Sequence, residues 1–221
     1  MYLPEHFHAP SQAAIDELVA QYPLASLVTS GSATQPWVAN PVPLLADGAV
    51  VAGGLLWGHV ARANPLWQSE DRRAMAIFTG PRAYITPNAY PSKTLHHRVV
   101  PTYNYAVVQV TGELVIHDDP EIKQQIVHRL TQTFERDQPE PWSLSDAPQD
   151  YIDAMLRAIV GFEMRILEVH AKWKVSQNRT PSDQMGVQAE LAQDTERADG
   201  VKMAQIIDQQ LQAIDPTKHP T

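Results

Sequence analysis

Ile15, Leu18, Val19 and Tyr22 recur at i, i+3, i+4 and i+7 and mark one face of a helix over residues 11–22. Ser11 suits its N-cap and Pro23 its end. From residue 24 the period changes. Runs at 24–29, 37–44, 49–56, 74–79, 82–86 and 105–117 are rich in strand-forming residues, with turn signals at Gly31-Ser32, Asp47-Gly48 and Gly80-Pro81 between them. Asp47-Gly48 between two apolar runs predicts a hairpin. Pro41 and Pro43 alternate, so both missing N–H groups point the same way. That places their strand at an edge or beside a ligand. Asp119-Pro120 opens a second helix, with Ile122, Ile126, Leu130 and Phe134 as its buried stripe. A proline-containing loop over 135–148 leads to a short helix at 150–157 and a long strand at 159–169. Pro181 opens a last helical stretch, broken near Gly200, and the chain past Asp215 is expected to fray.

Strands therefore succeed one another along the chain, with helices inserted at the ends. No βα alternation supports a doubly wound parallel sheet. The fold class is α+β: an antiparallel barrel with flanking helices. No internal repeat or low-complexity tract interrupts it.

Composition narrows the function. The 221 residues are 43% hydrophobic and 19% charged, enough for a packed core in one large domain, alone or with a small appendage. The formal net charge is -8, so the surface as a whole repels a phosphate backbone, and DNA binding is not supported by charge. There is no cysteine, which excludes disulfides, zinc–cysteine sites, iron–sulfur clusters and thiol nucleophiles. The opening MYLPEHF has neither a basic n-region nor an apolar h-region, and no apolar run is long enough to span a bilayer. A cytoplasmic protein without membrane association is expected.

Two clusters carry candidate chemistry. In Gly58-His59-Val60-Ala61-Arg62-Ala63-Asn64-Pro65-Leu66-Trp67, a strand is expected to open into a helical turn. Backbone N–H groups there, with the Arg62 fork, suit a phosphate, and His59 three residues earlier would share a helical face with Arg62. The plainer reading is a surface arginine on a short helix. In Lys172-Trp173-Lys174-Val175-Ser176-Gln177-Asn178-Arg179, the donors Lys174, Ser176, Gln177, Asn178 and Arg179 suit a polar heterocycle or an anion, or else form a solvated strand end, and Lys174, Ser176, Gln177 and Arg179 are expected to line the ligand site. Strand alternation forbids all four from pointing inward together. Tyr84, Tyr90, Tyr103 and Tyr105 are aromatic lining for a flat ligand, or core. His96-His97 lacks metal-binding spacing, and no P-loop, GxGxxG or GxSxG is present.

The runs MYLPEHF, GHVARANPLW, FTGPRAYITPNAY, VPTYNY, IVGFEMRI and KVSQNR, in this order, resemble the PaiB family of FMN-binding negative transcriptional regulators. The resemblance implies an FMN-binding split barrel over 1–180 with a C-terminal helical extension over 181–221, and FMN as cofactor. It also implies a homodimer with flavin sites near the subunit interface. It sets the run from His59 through Asn64 to Pro65 against the flavin phosphate, and it implies a regulatory role that includes DNA. A flavin-dependent oxidoreductase acting on a small molecule is the alternative reading. A haem-binding split barrel is a third, by analogy of fold alone.

Overall fold

The computed structural model describes residues 1–31, 36–194 and 198–214. Helix α1, Gln12–Gln21, starts where the Ala14 N–H donates to Ser11 Oγ at 3.2 Å, and it buries Leu18 and Val19. Strand β1 is Leu24–Ser30, β2 is Trp37–Pro43, β3 is the two-residue Leu45–Ala46, β4 is Leu55–Ala61 and β5 is Arg73–Ile85. One helical turn, α2 (Lys93–His96), precedes β6, Thr102–His117. Helix α3, Pro120–Glu135, is capped by Asp119, whose carboxylate accepts from the Glu121 and Ile122 N–H groups. Helix α4 is Gln149–Arg157, β7 is Ile159–Lys174, α5 is Pro181–Gln193 and α6 is Ala198–Ile214.

The strands form one sheet in the order β2-β1-β5-β6-β7-β4-β3, and the β1–β2, β1–β5, β3–β4 and β4–β7 pairs are antiparallel. Among the described residues, strand β2 pairs only with β1, which is the edge position that Pro41 and Pro43 require. It also packs against β4, near the other end of the order, without pairing with it. The sheet thus curls toward closure and stays open, as a split barrel.

Four expectations from the sequence are corrected. Of the strand expected over 49–56 only residues 55 and 56 are strand, because β4 begins at Leu55. Residues 47–54 form a loop closed by the Asp47 N–H to Leu55 O bond at 2.9 Å, with Gly48 and Gly53 at φ +87° and +86°. The Asp47-Gly48 hairpin exists, but it joins β3 to β4 through this longer loop. The runs at 74–79 and 82–86 are one strand, because buried Gly80-Pro81 lies inside β5 rather than turning it. Strand β7 continues five residues past Val169, so Lys172 and Lys174 are strand residues. Phe134 is 41% exposed and drops out of the α3 stripe, whose buried apolar members are Ile126 and Leu130. The frayed end predicted after Asp215 lies outside the described residues.

The chain divides into two compact units: residues 1–15, 79–108 and 170–221, and residues 16–78 and 109–169. The core of the first includes Ile85, Tyr90, Ala106, Val175, Val187, Met203 and Ile207, all at or below 1% exposure. That of the second includes Leu27, Leu56, Phe78, Val110, Phe162 and Met164. Helices α5 and α6 pack on each other within the first unit.

Candidate functional site

In the second unit, β4 ends at Ala61 and the chain turns through Arg62-Ala63-Asn64 into one 3-10 turn, Pro65–Gln68. Asn64 caps that turn: its Oδ1 accepts from the Leu66 N–H at 3.0 Å. Its Nδ2 donates to Asn40 Oδ1 at 3.1 Å, fixing the orientation of the Asn40 amide on edge strand β2. The Nδ2 of Asn40 is then left buried with no hydrogen-bond partner. His59 lies on β4 opposite Gly161, and its Nδ1 is likewise buried and unpaired. Burial holds the His59 pKa below the ordinary 6.5, so the ring is neutral near pH 7. Two buried polar atoms without partners are costly in a dry interior, and a polar ligand would satisfy them.

The expected helical turn over this segment is corrected. Gly58 to Ala61 are strand residues, and Gly58 is closely covered: a Cβ there would sit 2.7 Å from Leu44 Cδ2 and 2.8 Å from Phe162 Cζ. His59 and Arg62 therefore do not share a helical face. The 3-10 turn begins with a proline, which supplies no N–H there.

Arg62 is heavily engaged. Its Nε donates to the Arg157 carbonyl at 2.7 Å, Nη1 to Asp118 Oδ2 at 3.0 Å, and Nη2 to the Ile159 carbonyl at 3.2 Å and to Asp118 Oδ1. Four of its five N–H groups are thus committed. Its guanidinium also lies 5.6 Å from the Trp67 ring centroid. Lys123 Nζ adds a second cation to Asp118 at 3.0 Å. Arg62, with Lys123, pulls the Asp118 pKa down to about 2.

The other predicted donors fall in the first unit. Lys174 Nζ donates to Thr102 Oγ1 at 2.6 Å and to the Tyr103 carbonyl at 2.5 Å, and partial burial lowers its pKa. The chain leaves the strand after Lys174, so alternation no longer governs residues 175–179. Ser176, at φ 71°, is buried, and its Oγ accepts from Asn104 Nδ2 at 2.9 Å. Gln177 folds back on its own turn, accepting from the Val175 N–H at 2.7 Å and donating to the Trp173 carbonyl at 2.5 Å. Arg179 lies 4.8 Å from the ring centroid of Tyr90, whose buried hydroxyl has its pKa raised, chiefly by burial. The seven predicted residues thus form two groups, one in each unit: His59, Arg62 and Asn64, and Lys174, Ser176, Gln177 and Arg179.

Asn40, Asp118 and Asn104 escaped the sequence reading. Asn40 had a signal in the proline that comes after it, whereas Asn104 and Asp118 acquire partners 72 and 56 residues away. Among the described residues, no group of three or more His, Asp or Glu is placed to hold a metal, and no helix is long and apolar enough to cross a membrane.

An open antiparallel barrel with unpaired amide and imidazole groups beside its edge strand is a cofactor-binding split barrel. The chain belongs to the family described as "Putative FMN-binding domain", whose model matches residues 1–168. It is 26% identical to the Protease synthase and sporulation protein PAI 2 of Bacillus subtilis (strain 168), over 96% of this chain and 98% of that protein. In solved structures, the fold is shared with the conserved hypothetical protein Rv2991 of Mycobacterium tuberculosis, at TM-score 0.54 and 15% identity over 82% of this chain and 94% of that one. It is shared too with the FAD and Heme binding protein of Mycobacterium smegmatis, at TM-score 0.52 and 15% identity over 75% and 72%. The residues present fit a flavin: its ring offers carbonyl oxygens, ring nitrogens and one N–H along a single edge, and Asn40 Nδ2 and His59 Nδ1 are a donor and a titratable ring nitrogen left without partners.

Proposed function

We propose that the chain is a cytoplasmic, homodimeric regulatory flavoprotein in which Asn40, His59 and Asn64 hold the polar part of FMN. The observation that carries this reading is the pair of unpaired buried atoms, Asn40 Nδ2 and His59 Nδ1, beside the Asn64 cap. Arg62 acts one step back, as the clamp that fixes the turn carrying Asn64. FMN supplies redox chemistry and a planar chromophore when bound, and the protein supplies orientation and a water-poor surface. In this reading residues 1–180 carry the flavin and residues 181–221 are a C-terminal extension.

The Bacillus relative is named for protease synthesis and sporulation, which supports a regulatory role over a purely metabolic one. The net charge of -8 argues that any effect on genes proceeds through a local contact or a partner, not through a broad basic face. The test is FMN titration of the purified protein, followed by flavin absorbance, for the natural chain and for Asn40→Ala and His59→Ala. Both variants should lose about ten- to a hundredfold in affinity. Undiminished affinity in both would move the flavin elsewhere.

A further inference from the structure

Arg82, Tyr84 and Tyr103 border a cavity that the flavin reading leaves unused. The burial alternation along β5 slips by one residue at Gly80-Pro81, both of which are buried. Arg82 and Tyr84, two residues apart, consequently emerge on one face of the strand. Tyr103 stands on the neighbouring strand β6, and its ring meets that of Tyr84 edge to face with centroids 5.6 Å apart. Both rings stay open to solvent, at 46% and 58% exposure, although large aromatics gain most by being covered. Together with Leu191 and Asp199 they line a cavity of about 420 Å³. That is within the range of small-molecule sites.

Arg82 and two carboxylate residues, Asp194 and Asp199, line this one cavity, and Asp194 already has an interaction of its own. Arg82 and Asp199 both line it, yet they form no ion pair with each other. An anionic ligand would be drawn to Arg82 and repelled by Asp199, and a cationic one the reverse. A ligand with separated opposite charges satisfies both. Its carboxylate would take the guanidinium fork in two charge-assisted hydrogen bonds. Its ammonium would meet Asp199, and an aromatic body would lie against the exposed tyrosine rings and Leu191.

The geometry points to a second ligand site in this unit, for a small aromatic zwitterion with the chemistry of an aromatic α-amino acid. Every residue it uses lies in the first unit, outside the group of Asn40, His59 and Asn64. Success or failure of the flavin assignment therefore leaves it intact.

The test uses the full chain loaded with FMN, L-phenylalanine as probe, and saturation-transfer NMR with calorimetry as readouts. Saturable binding of L-phenylalanine is expected. Phenylalanine amide, which lacks the carboxylate, and N-acetylphenylalanine, which lacks the ammonium, should each bind about tenfold more weakly or worse. Arg82→Gln should erase the preference over the amide and leave the preference over the N-acetyl compound. Asp199→Asn should do the reverse. Should either variant fail to fold, the two derivatives on the natural chain decide alone. No saturable binding at millimolar L-phenylalanine, equal binding of all three compounds, or variants that leave the preferences unchanged would overturn the proposal.

Discussion

Arg62 and Asp118 face each other fork to fork, and the same guanidinium also holds the carbonyls of Arg157 and Ile159. One side chain thereby ties the end of β4 to the end of β6 and to the start of β7. Asp118 is also the residue just before the α3 cap, so the clamp and the helix start are built from adjacent carboxylates, Asp118 and Asp119.

Because Arg62 acts on the turn rather than on one ligand group, Arg62→Ala should weaken FMN and riboflavin alike. Their affinity ratio should change by less than about twofold, where loss of a charged phosphate contact would change it ten- to a hundredfold. The melting temperature should fall as well. A selective loss of FMN binding, with riboflavin unaffected, would return Arg62 to the phosphate.

Asp118 gives the clamp a pH signature. Its pKa in the folded chain is about 2, below the ordinary 3.8. The stabilisation it contributes is complete above the unfolded value and disappears as pH falls through the folded one. Asp118→Asn should therefore reduce stability at neutral pH and flatten the acid limb of a melting profile between about pH 4 and 2. An acid limb that matches that of the natural chain would show that other carboxylates set it.

His59 titrates in a different window. Burial lowers its folded pKa below 6.5, so the unfolded chain takes up a proton before the folded one does. Stability from the neutral ring is fully present above pH 6.5 and declines as pH falls toward the folded pKa. A bound ligand that needs the neutral ring should deepen that decline. In melting scans of FMN-loaded protein, His59→Gln should remove the slope just below pH 6.5. Persistence of the slope in the variant would assign it to another histidine.

Asn104 and Ser176 form a fully buried pair, at 0% and 4% exposure, joined by a 2.9 Å hydrogen bond. Asn104→Ala should leave the Ser176 hydroxyl without that partner and cost about 1–3 kcal/mol in urea unfolding. The double change with Ser176→Ala should cost less than the sum of the two single changes, as contacting residues do. Strict additivity would mean that the two side chains act independently.

Two glycines should differ in a predictable direction. A Cβ at Gly58 meets the tips of Leu44 and Phe162, side chains that can shift, and Gly58→Ala should cost about 1–3 kcal/mol. A Cβ at Gly112 would lie 2.2 Å from the Arg165 carbonyl oxygen, which is backbone of the sheet and cannot give way cheaply. Gly112→Ala should be the more destabilising of the two in parallel urea titrations.

The sequence determined the features that depend on near neighbours. The helical faces of α1 and α3, the Ser11 and Asp119 caps, and the edge position of the strand carrying Pro41 and Pro43 arise from side chains within a few residues of one another. Six short runs in order were enough to place the chain with flavin-binding split barrels. The tertiary structure decided the features that depend on distant partners. Gly80-Pro81 reads as a turn locally, but its burial inside β5 makes it part of a continuous strand. Arg62 reads as a free fork suited to phosphate, but its acceptors are 56, 95 and 97 residues away, and only folding brings them to it. Asn40 shows no special chemistry in the sequence. It becomes a candidate ligand because Asn64, 24 residues later, takes its carbonyl oxygen and leaves its amide nitrogen buried and unpaired. Which polar group is spent on the fold and which remains for a ligand is settled by hydrogen bonds between segments far apart in the chain, and local pattern carries no record of them.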